Sequence, residues 1–187
     1  HLIASELNNV GVNFADAPVA RGVLNAVEGT LSITVGASAE TFRLIEKWLL
    51  LMGTEISHCG PIGSGTVMKL INNMVLFQNV SALAEAMAIA TRAGINRNEV
   101  FKYLSLGSAD SFALRRHGEH MTSGEYPTDR FPTAYSHKDL GYLLDLASEL
   151  GVDAAGASLV QDRFEEVIRR GLGNLYSPVI YRLFEDE

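Results

Sequence analysis

One long apolar stretch, residues 67–93, constrains the fold of this chain more than any other feature. Its apolar residues recur on more than one helix face, which is too many for a surface helix and suits a helix packed on most sides. The stretch follows Gly63-Ser64-Gly65, and Gly94-Ile95-Asn96 breaks it. We therefore expect one long, buried helix.

The residues before this helix alternate between strand and helix patterns. Residues 12–17 and 31–35 read as strands, Ser38 can cap a helix that stops at Gly53, and residues 54–59 suit a further strand. This order is typical of the end of a doubly wound sheet. The G-x-G-x-x-G motif that receives a dinucleotide pyrophosphate is missing from the sequence.

The residues after the long helix show helical patterns only. Asn96 can cap a helix through its side chain, with Glu99 in the place of a capping-box acid. Residues 121–133, rich in glycine, proline and polar residues, read as a loop. Helices are expected at residues 96–106, 134–150 and 154–170 and from Pro178 onward. The predicted fold class is thus an α/β part followed by an all-α domain.

Composition excludes several classes of partner. A net charge of -7 argues against nucleic acid, because neutralising phosphates needs clustered lysine and arginine. No run reaches the roughly 18 consecutive apolar residues of a membrane span. The single cysteine suits a reducing compartment, and the histidines show no repeated ligand spacing. We expect a cytoplasmic protein with no membrane, nucleic-acid or metal partner.

Lys69 and Asn73 lie four residues apart near the start of the long helix, and therefore on one helix face. A lysine can exchange a proton, and an amide can hold a substrate oxygen. A carbonyl or alcohol needs both when a hydride moves to or from its carbon. The spacing alone is equally compatible with a lysine that only contacts solvent.

Three motifs together resemble one enzyme family. They are the pattern G-x-G-x-x-x-K-x-x-N-N at residues 63–73, the segments at residues 14–22 and 26–36, and Lys138-Asp139. In order and spacing they are similar to the β-hydroxyacid dehydrogenase family, typified by 3-hydroxyisobutyrate dehydrogenase. The resemblance implies NAD or NADP as cofactor, a small anionic hydroxy acid or semialdehyde as substrate, and a homodimer or homotetramer.

The resemblance also implies that most of the nucleotide-binding domain lies outside this chain. Residues 1–62 are then the C-terminal remnant of a Rossmann domain, and residues 63–187 are the helical substrate and dimerisation domain. We expect the chain alone to be inactive. The residue that selects NAD or NADP falls in the part outside the chain.

The resemblance also implies a role for individual residues. Lys69 matches the general acid/base that protonates the carbonyl in reduction and deprotonates the alcohol in oxidation. Asn73 matches the asparagine that holds the substrate near this lysine. Lys138 and Pro18 are expected on the cofactor side of the site.

The segment Ala20-Arg21-Gly22 matches the family's substrate-carboxylate site, where a serine and two glycines are usual. The serine hydroxyl is absent here and an arginine is gained. A guanidinium offers a fixed fork of donors, so Arg21 can take over the serine's role with an acid group. The alternative is that Arg21 pairs with a surface carboxylate such as Glu28.

Three rival interpretations remain. 6-Phosphogluconate dehydrogenase, a decarboxylating enzyme, shares the glycine-lysine pattern but typically has a histidine where Asn72 stands. Imine reductases share the architecture but usually replace the lysine that Lys69 matches. A rival from another class is a non-catalytic helical assembly module, because the nucleotide motif is missing and the long helix is apolar.

Overall fold

The computed structural model of the chain describes residues 1–185. The chain divides into two compact units, His1–Asn72 and the part that starts at Asn73. The division falls inside one long helix, Ser64–Arg92, so the prediction of a single long helix is confirmed. A small sheet precedes this helix and further helices follow it, as the predicted fold class requires.

The first unit is a three-stranded sheet with helices. Its elements are α1 (Leu2–Asn9), β1 (Val19–Ala20), α2 (Val23–Val27), β2 (Leu31–Gly36), α3 (Ala39–Leu49), β3 (Gly53–Gly60) and the first turns of α4 (Ser64–Arg92). The strand order is β1-β2-β3. Val19 faces Ile33 in an antiparallel pair, and Ile33 faces Ile56 in a parallel one. Parallel strands need a crossover connection, and α3 provides it.

The core of this unit lies on the central strand. Alternate side chains of β2 are buried, as expected for a strand with one covered face. They form a cluster with the end of α3, made of Leu31, Ile33, Val35, Ala37 and Leu49. The predicted cap of α3 is confirmed, since Ser38 Oγ accepts the Thr41 N–H at 3.1 Å.

The strand predicted at residues 12–17 is wrong. Within the described residues, this segment has only an isolated bridge between Asp16 and Gly36. The short strand of this region lies two residues beyond the prediction, at Val19–Ala20. A run of apolar residues predicts an extended, buried segment, but a strand also needs a neighbour along its length, which the described residues supply at Asp16 alone.

The second unit is entirely helical. After α4 it contains α5 (Arg97–Leu104), α6 (Phe112–Ser123), α7 (Thr133–Glu149), α8 (Ala155–Arg169) and a 3₁₀ helix (Ser177–Phe184). Phe77 of α4 and Phe164 of α8 are fully buried and meet edge to face, with ring centroids 5.5 Å apart. This ring geometry is a favourable one for aromatic pairs, so the contact anchors α8 on α4.

Two local predictions in this unit need correction. The predicted loop 121–133 is shorter, because α6 continues to Ser123, where Gly124 ends it with φ +76°. The Glu99 carboxylate pairs with Lys102 at 2.9 Å, and no hydrogen bond from the Asn96 N–H to it is described, so the capping box is not formed as predicted. Asn96 does cap α5, by accepting the Asn98 N–H.

Helix α4 is less completely buried than its composition predicts. Met68, Val75 and Ile89 are 43%, 50% and 70% exposed, and with Ala82 they recur every seven residues. By length and hydropathy the helix also meets the criterion of a membrane span, although 39% of its most apolar window is buried within the fold. Core helices of soluble proteins meet the same criterion.

Candidate active site

Lys69 is half-buried in the second turn of α4. Its Nζ donates to the carbonyl of Val19 at 2.5 Å. Val19 is held in place by its pairing with Ile33 in the sheet. The lysine ammonium therefore lies beside the segment Ala20-Arg21-Gly22, which the sequence resemblance connects with the substrate.

Asp16 caps α4 from the other end of the same loop. Its Oδ1 accepts the Gly63 N–H at 2.6 Å and its Oδ2 accepts the Thr66 N–H at 2.7 Å. The first turn of a helix has unpaired N–H groups, and a carboxylate there is favoured by both hydrogen bonding and the helix dipole. Asp16 thus fixes the start of the helix that carries Lys69.

The segment Ala20-Arg21-Gly22 has an unusual backbone. Arg21 has φ +89° and Gly22 has φ +100°. The Arg21 guanidinium donates to the Thr30 carbonyl at 3.0 Å and to the Thr54 hydroxyl at 3.2 Å. The carboxylate it approaches is Glu55, at 3.9 Å and largely exposed. An ion pair of this length and exposure contributes little to stability.

Asn73 is buried in the second unit, with 6% of its surface exposed. Its Nδ2 donates to Asp139 Oδ2 at 2.9 Å. A buried amide needs such a partner, and this bond orients the Asn73 side chain. Asn72, one residue earlier, lies on an exposed part of the helix.

Lys138 lies next to Asp139 on α7 and is 56% exposed. Its Nζ is 3.7 Å from Asp139 Oδ1 and lies over the rings of Tyr135 and Tyr142, at 5.5 and 5.8 Å from their centroids. The Lys138 ammonium complements an anionic ligand, and the two exposed tyrosine rings can stack on planar ligand rings. A nicotinamide dinucleotide has both features. Pro18, in the first unit, is half-buried, and its carbonyl accepts the Thr34 N–H.

Each unit thus brings together part of the predicted set. The first unit places Lys69 beside the loop with Pro18, Ala20, Arg21 and Gly22, and the second joins Asn73 to the Lys138-Asp139 pair. The sequence did not point to Asp16 as a helix cap or to Val19 as the partner of Lys69. Asp16 is 47 residues from Gly63, and the group that Val19 contributes is a backbone carbonyl, so no local pattern marks either.

Two protein-family models match the chain. One, described as the NAD-binding domain of NADP-dependent 3-hydroxyisobutyrate dehydrogenase, matches residues 63–183. The other, described as the NAD-binding domain of 6-phosphogluconate dehydrogenase, matches residues 1–60. Together they cover nearly the whole chain, and both name the dinucleotide that the sequence resemblance implies.

Individual proteins are similar as well. The chain is 31% identical to 2-(hydroxymethyl)glutarate dehydrogenase of Eubacterium barkeri, over 94% of the chain and 58% of that protein. It is 31% identical to 2-hydroxy-3-oxopropionate reductase of Escherichia coli, over 97% of the chain and 62% of that protein. The structure of 3-hydroxyisobutyrate dehydrogenase from Mycobacterium tuberculosis with L-serine aligns with a TM-score of 0.86 at 27% identity, covering 96% of this chain and 65% of that one. The chain therefore spans about three fifths of each relative.

Proposed function

The chain belongs to the β-hydroxyacid dehydrogenase family, and on that premise we propose that the whole protein interconverts a small 3-hydroxy acid and its semialdehyde or keto form. The substrates in the relatives' names, 2-(hydroxymethyl)glutarate, 2-hydroxy-3-oxopropionate and 3-hydroxyisobutyrate, all combine an acid group with a hydroxyl or oxo group. Residues 1–62 are then the end of a larger nucleotide-binding domain.

The observation that carries this proposal is the position of Lys69. Its ammonium donates to the Val19 carbonyl, next to the segment that would hold the substrate's acid group. In reduction, Lys69 gives a proton from Nζ to the substrate oxygen as the carbonyl becomes an alcohol. In oxidation, neutral Lys69 takes the hydroxyl proton.

The remaining residues bind and orient. Arg21 takes the acid group through its guanidinium, beside Ala20 and Gly22. Asn73 holds the reacting oxygen, and its bond to Asp139 keeps the amide in one orientation.

Lys138 and Pro18 would hold the cofactor. The bound NAD or NADP supplies or accepts the hydride. Lys138 contributes a charge that complements an anionic dinucleotide, and the rings of Tyr135 and Tyr142 hold that charge in place.

Steady-state kinetics of the whole protein on a panel of 3-hydroxy acids tests the proposal. We expect Lys69→Ala to lower kcat by about a hundredfold or more while coenzyme still binds. Lys69→Arg should be equally impaired, because an arginine keeps the charge but cannot give up its proton. Lys47→Ala, at an exposed lysine of the same unit, is the matched control and should keep full activity.

Near-normal turnover by Lys69→Ala would remove this lysine from the mechanism. Coenzyme titration distinguishes the proposed enzyme from a non-catalytic assembly module. The whole protein should bind NAD(H) or NADP(H), whereas binding of neither would favour a non-catalytic assembly module.

A further inference from the structure

The carboxylate of Asp16 joins the loop before β1 to the helix of Lys69, and we propose that Asp16 is a positioning residue for the proton transfer. This inference rests on the function proposed above. Each carboxylate oxygen accepts one backbone N–H, from Gly63 before the helix and from Thr66 within its first turn. Both bonds are short, at 2.6 and 2.7 Å, as charge-assisted hydrogen bonds are.

The backbone of Asp16 is fixed to the sheet at the same time. Its N–H donates to the Gly36 carbonyl at 3.0 Å, and the Gly36 N–H donates back to the Asp16 carbonyl at 2.9 Å. Asp16 therefore holds the end of β2 with its main chain and the start of α4 with its side chain. Asp16 thus helps to set the position of the helix start relative to β2 within this unit.

The junction leaves little room for the helix to shift. A Cβ on Gly36 would lie 2.3 Å from Asp16 Oδ1, and a Cβ on Gly65 would lie 2.5 Å from the Thr34 carbonyl oxygen. Only glycine permits backbones to approach this closely. The Thr34 hydroxyl also donates to the Gly65 carbonyl, at 3.0 Å.

Lys69 closes a ring of contacts that begins at Asp16. It follows Thr66 by three residues, about 4.5 Å along the helix axis. Its Nζ returns to the carbonyl of Val19, three residues after Asp16 in the loop. A change in how Asp16 holds the helix start therefore moves the Lys69 ammonium relative to the loop that would bind the substrate.

The test compares Asp16→Asn with Ser38→Ala in the whole protein. Asparagine keeps the shape of the side chain but places an amide group against one of the two N–H donors. Ser38→Ala removes the side-chain cap of α3 in the same unit, and Ser38 has no described hydrogen bond to the loop or to α4. The control therefore reports what loss of a helix cap does without moving Lys69.

Two readouts distinguish positioning from general stability. We expect Asp16→Asn to lower kcat by roughly 10- to 100-fold, as small misplacements of catalytic groups do, and to shift the pH-rate profile. Mass spectrometry after limited acetylation should show Lys69 labelled faster in Asp16→Asn than in the wild type. Ser38→Ala should match the wild type in kcat, pH-rate profile and labelling, even where thermal unfolding shows both variants equally destabilised.

Equal labelling of Lys69 in the wild type and both variants would overturn the proposal, as would an Asp16→Asn kcat no lower than that of Ser38→Ala. The labelling experiment does not depend on turnover. If the wild-type protein oxidises no 3-hydroxy acid, the proposed function fails, while faster labelling in Asp16→Asn still supports the positional link to Lys69.

Discussion

Arg21 occupies a backbone conformation that normally belongs to glycine. Its φ of +89° lies outside the regions that residues with a Cβ prefer, and such a conformation costs about 1–3 kcal/mol. The family pattern has glycine at this position, so the conformation follows from the loop rather than from the arginine. The bonds from the guanidinium to Thr30 and Thr54 offset part of this cost.

Substitutions at Arg21 therefore separate the side chain from the backbone. In the whole protein, Arg21→Ala and Arg21→Gly should both raise KM for acid substrates by roughly 30-fold, about 2 kcal/mol, and affect neutral alcohols far less. Arg21→Gly should be about 1 kcal/mol more stable than Arg21→Ala, because glycine tolerates the positive φ. Steady-state kinetics and thermal unfolding measure the two effects. Equal KM losses on acid and neutral substrates would show that Arg21 shapes the loop without binding the acid group.

At the scale of elements, α6 and the 3₁₀ helix are linked through a buried histidine. His117 Nδ1 lies 3.2 Å from the Ala113 carbonyl, and Nε2 lies 2.9 Å from the hydroxyl of Tyr176, the residue before the 3₁₀ helix. A neutral ring satisfies both contacts, donating from Nδ1 and accepting at Nε2. Burial lowers the pKa of His117 to about 4, helped by the nearby Arg116 and His120 and opposed by the Ala113 carbonyl.

This link makes stability depend on pH. Below about pH 6.5 the unfolded chain binds a proton on His117, whereas the folded chain does not until about pH 4. Stability should therefore fall as pH drops through this window, by about 3 kcal/mol in total. Urea unfolding of the wild type and of His117→Gln between pH 7 and 4 measures this loss of stability. Glutamine does not titrate, and the other titratable groups contribute equally in the two proteins. Parallel pH profiles for the two proteins would contradict the assignment.

At the scale of the whole molecule, α4 exposes a row of apolar side chains spaced along its length. Met68, Val75, Ala82 and Ile89 repeat at seven-residue spacing on one helix face. Such a repeat is typical of helices that pack along one another. We propose a second copy of the chain as the partner of this face.

We therefore expect the chain to be at least a dimer in solution. Val75→Glu together with Ile89→Glu should give a monomer near 20.3 kDa in sedimentation, because two charges on this face cannot be buried without partners. Val27→Glu, at an exposed apolar residue of α2, is the control and should leave the oligomer intact. A monodisperse wild-type monomer would contradict the prediction.

Much of this architecture could be predicted from the sequence because it depends on neighbours in the chain. The apolar periodicity of α4 and the caps Ser38 and Asn96 concern residues within one or two turns of each other. The family and its NAD or NADP cofactor also follow from local motifs, and the family models confirm both. The sequence analysis does not predict helix α6, although Ser111 caps its start and Gly124 ends it.

The sequence by itself thus determined the long helix, the order of elements and the residues that mark the family. Only the tertiary structure decided which groups meet: Asp16 with Gly63 and Thr66, Lys69 with Val19, and Asn73 with Asp139. It also decided that residues 12–17 form no regular strand and that one face of α4 is exposed. The physical reason is that helix periodicity and capping are interactions over a few residues, whereas these contacts join groups about 50 or more residues apart through the path of the folded backbone.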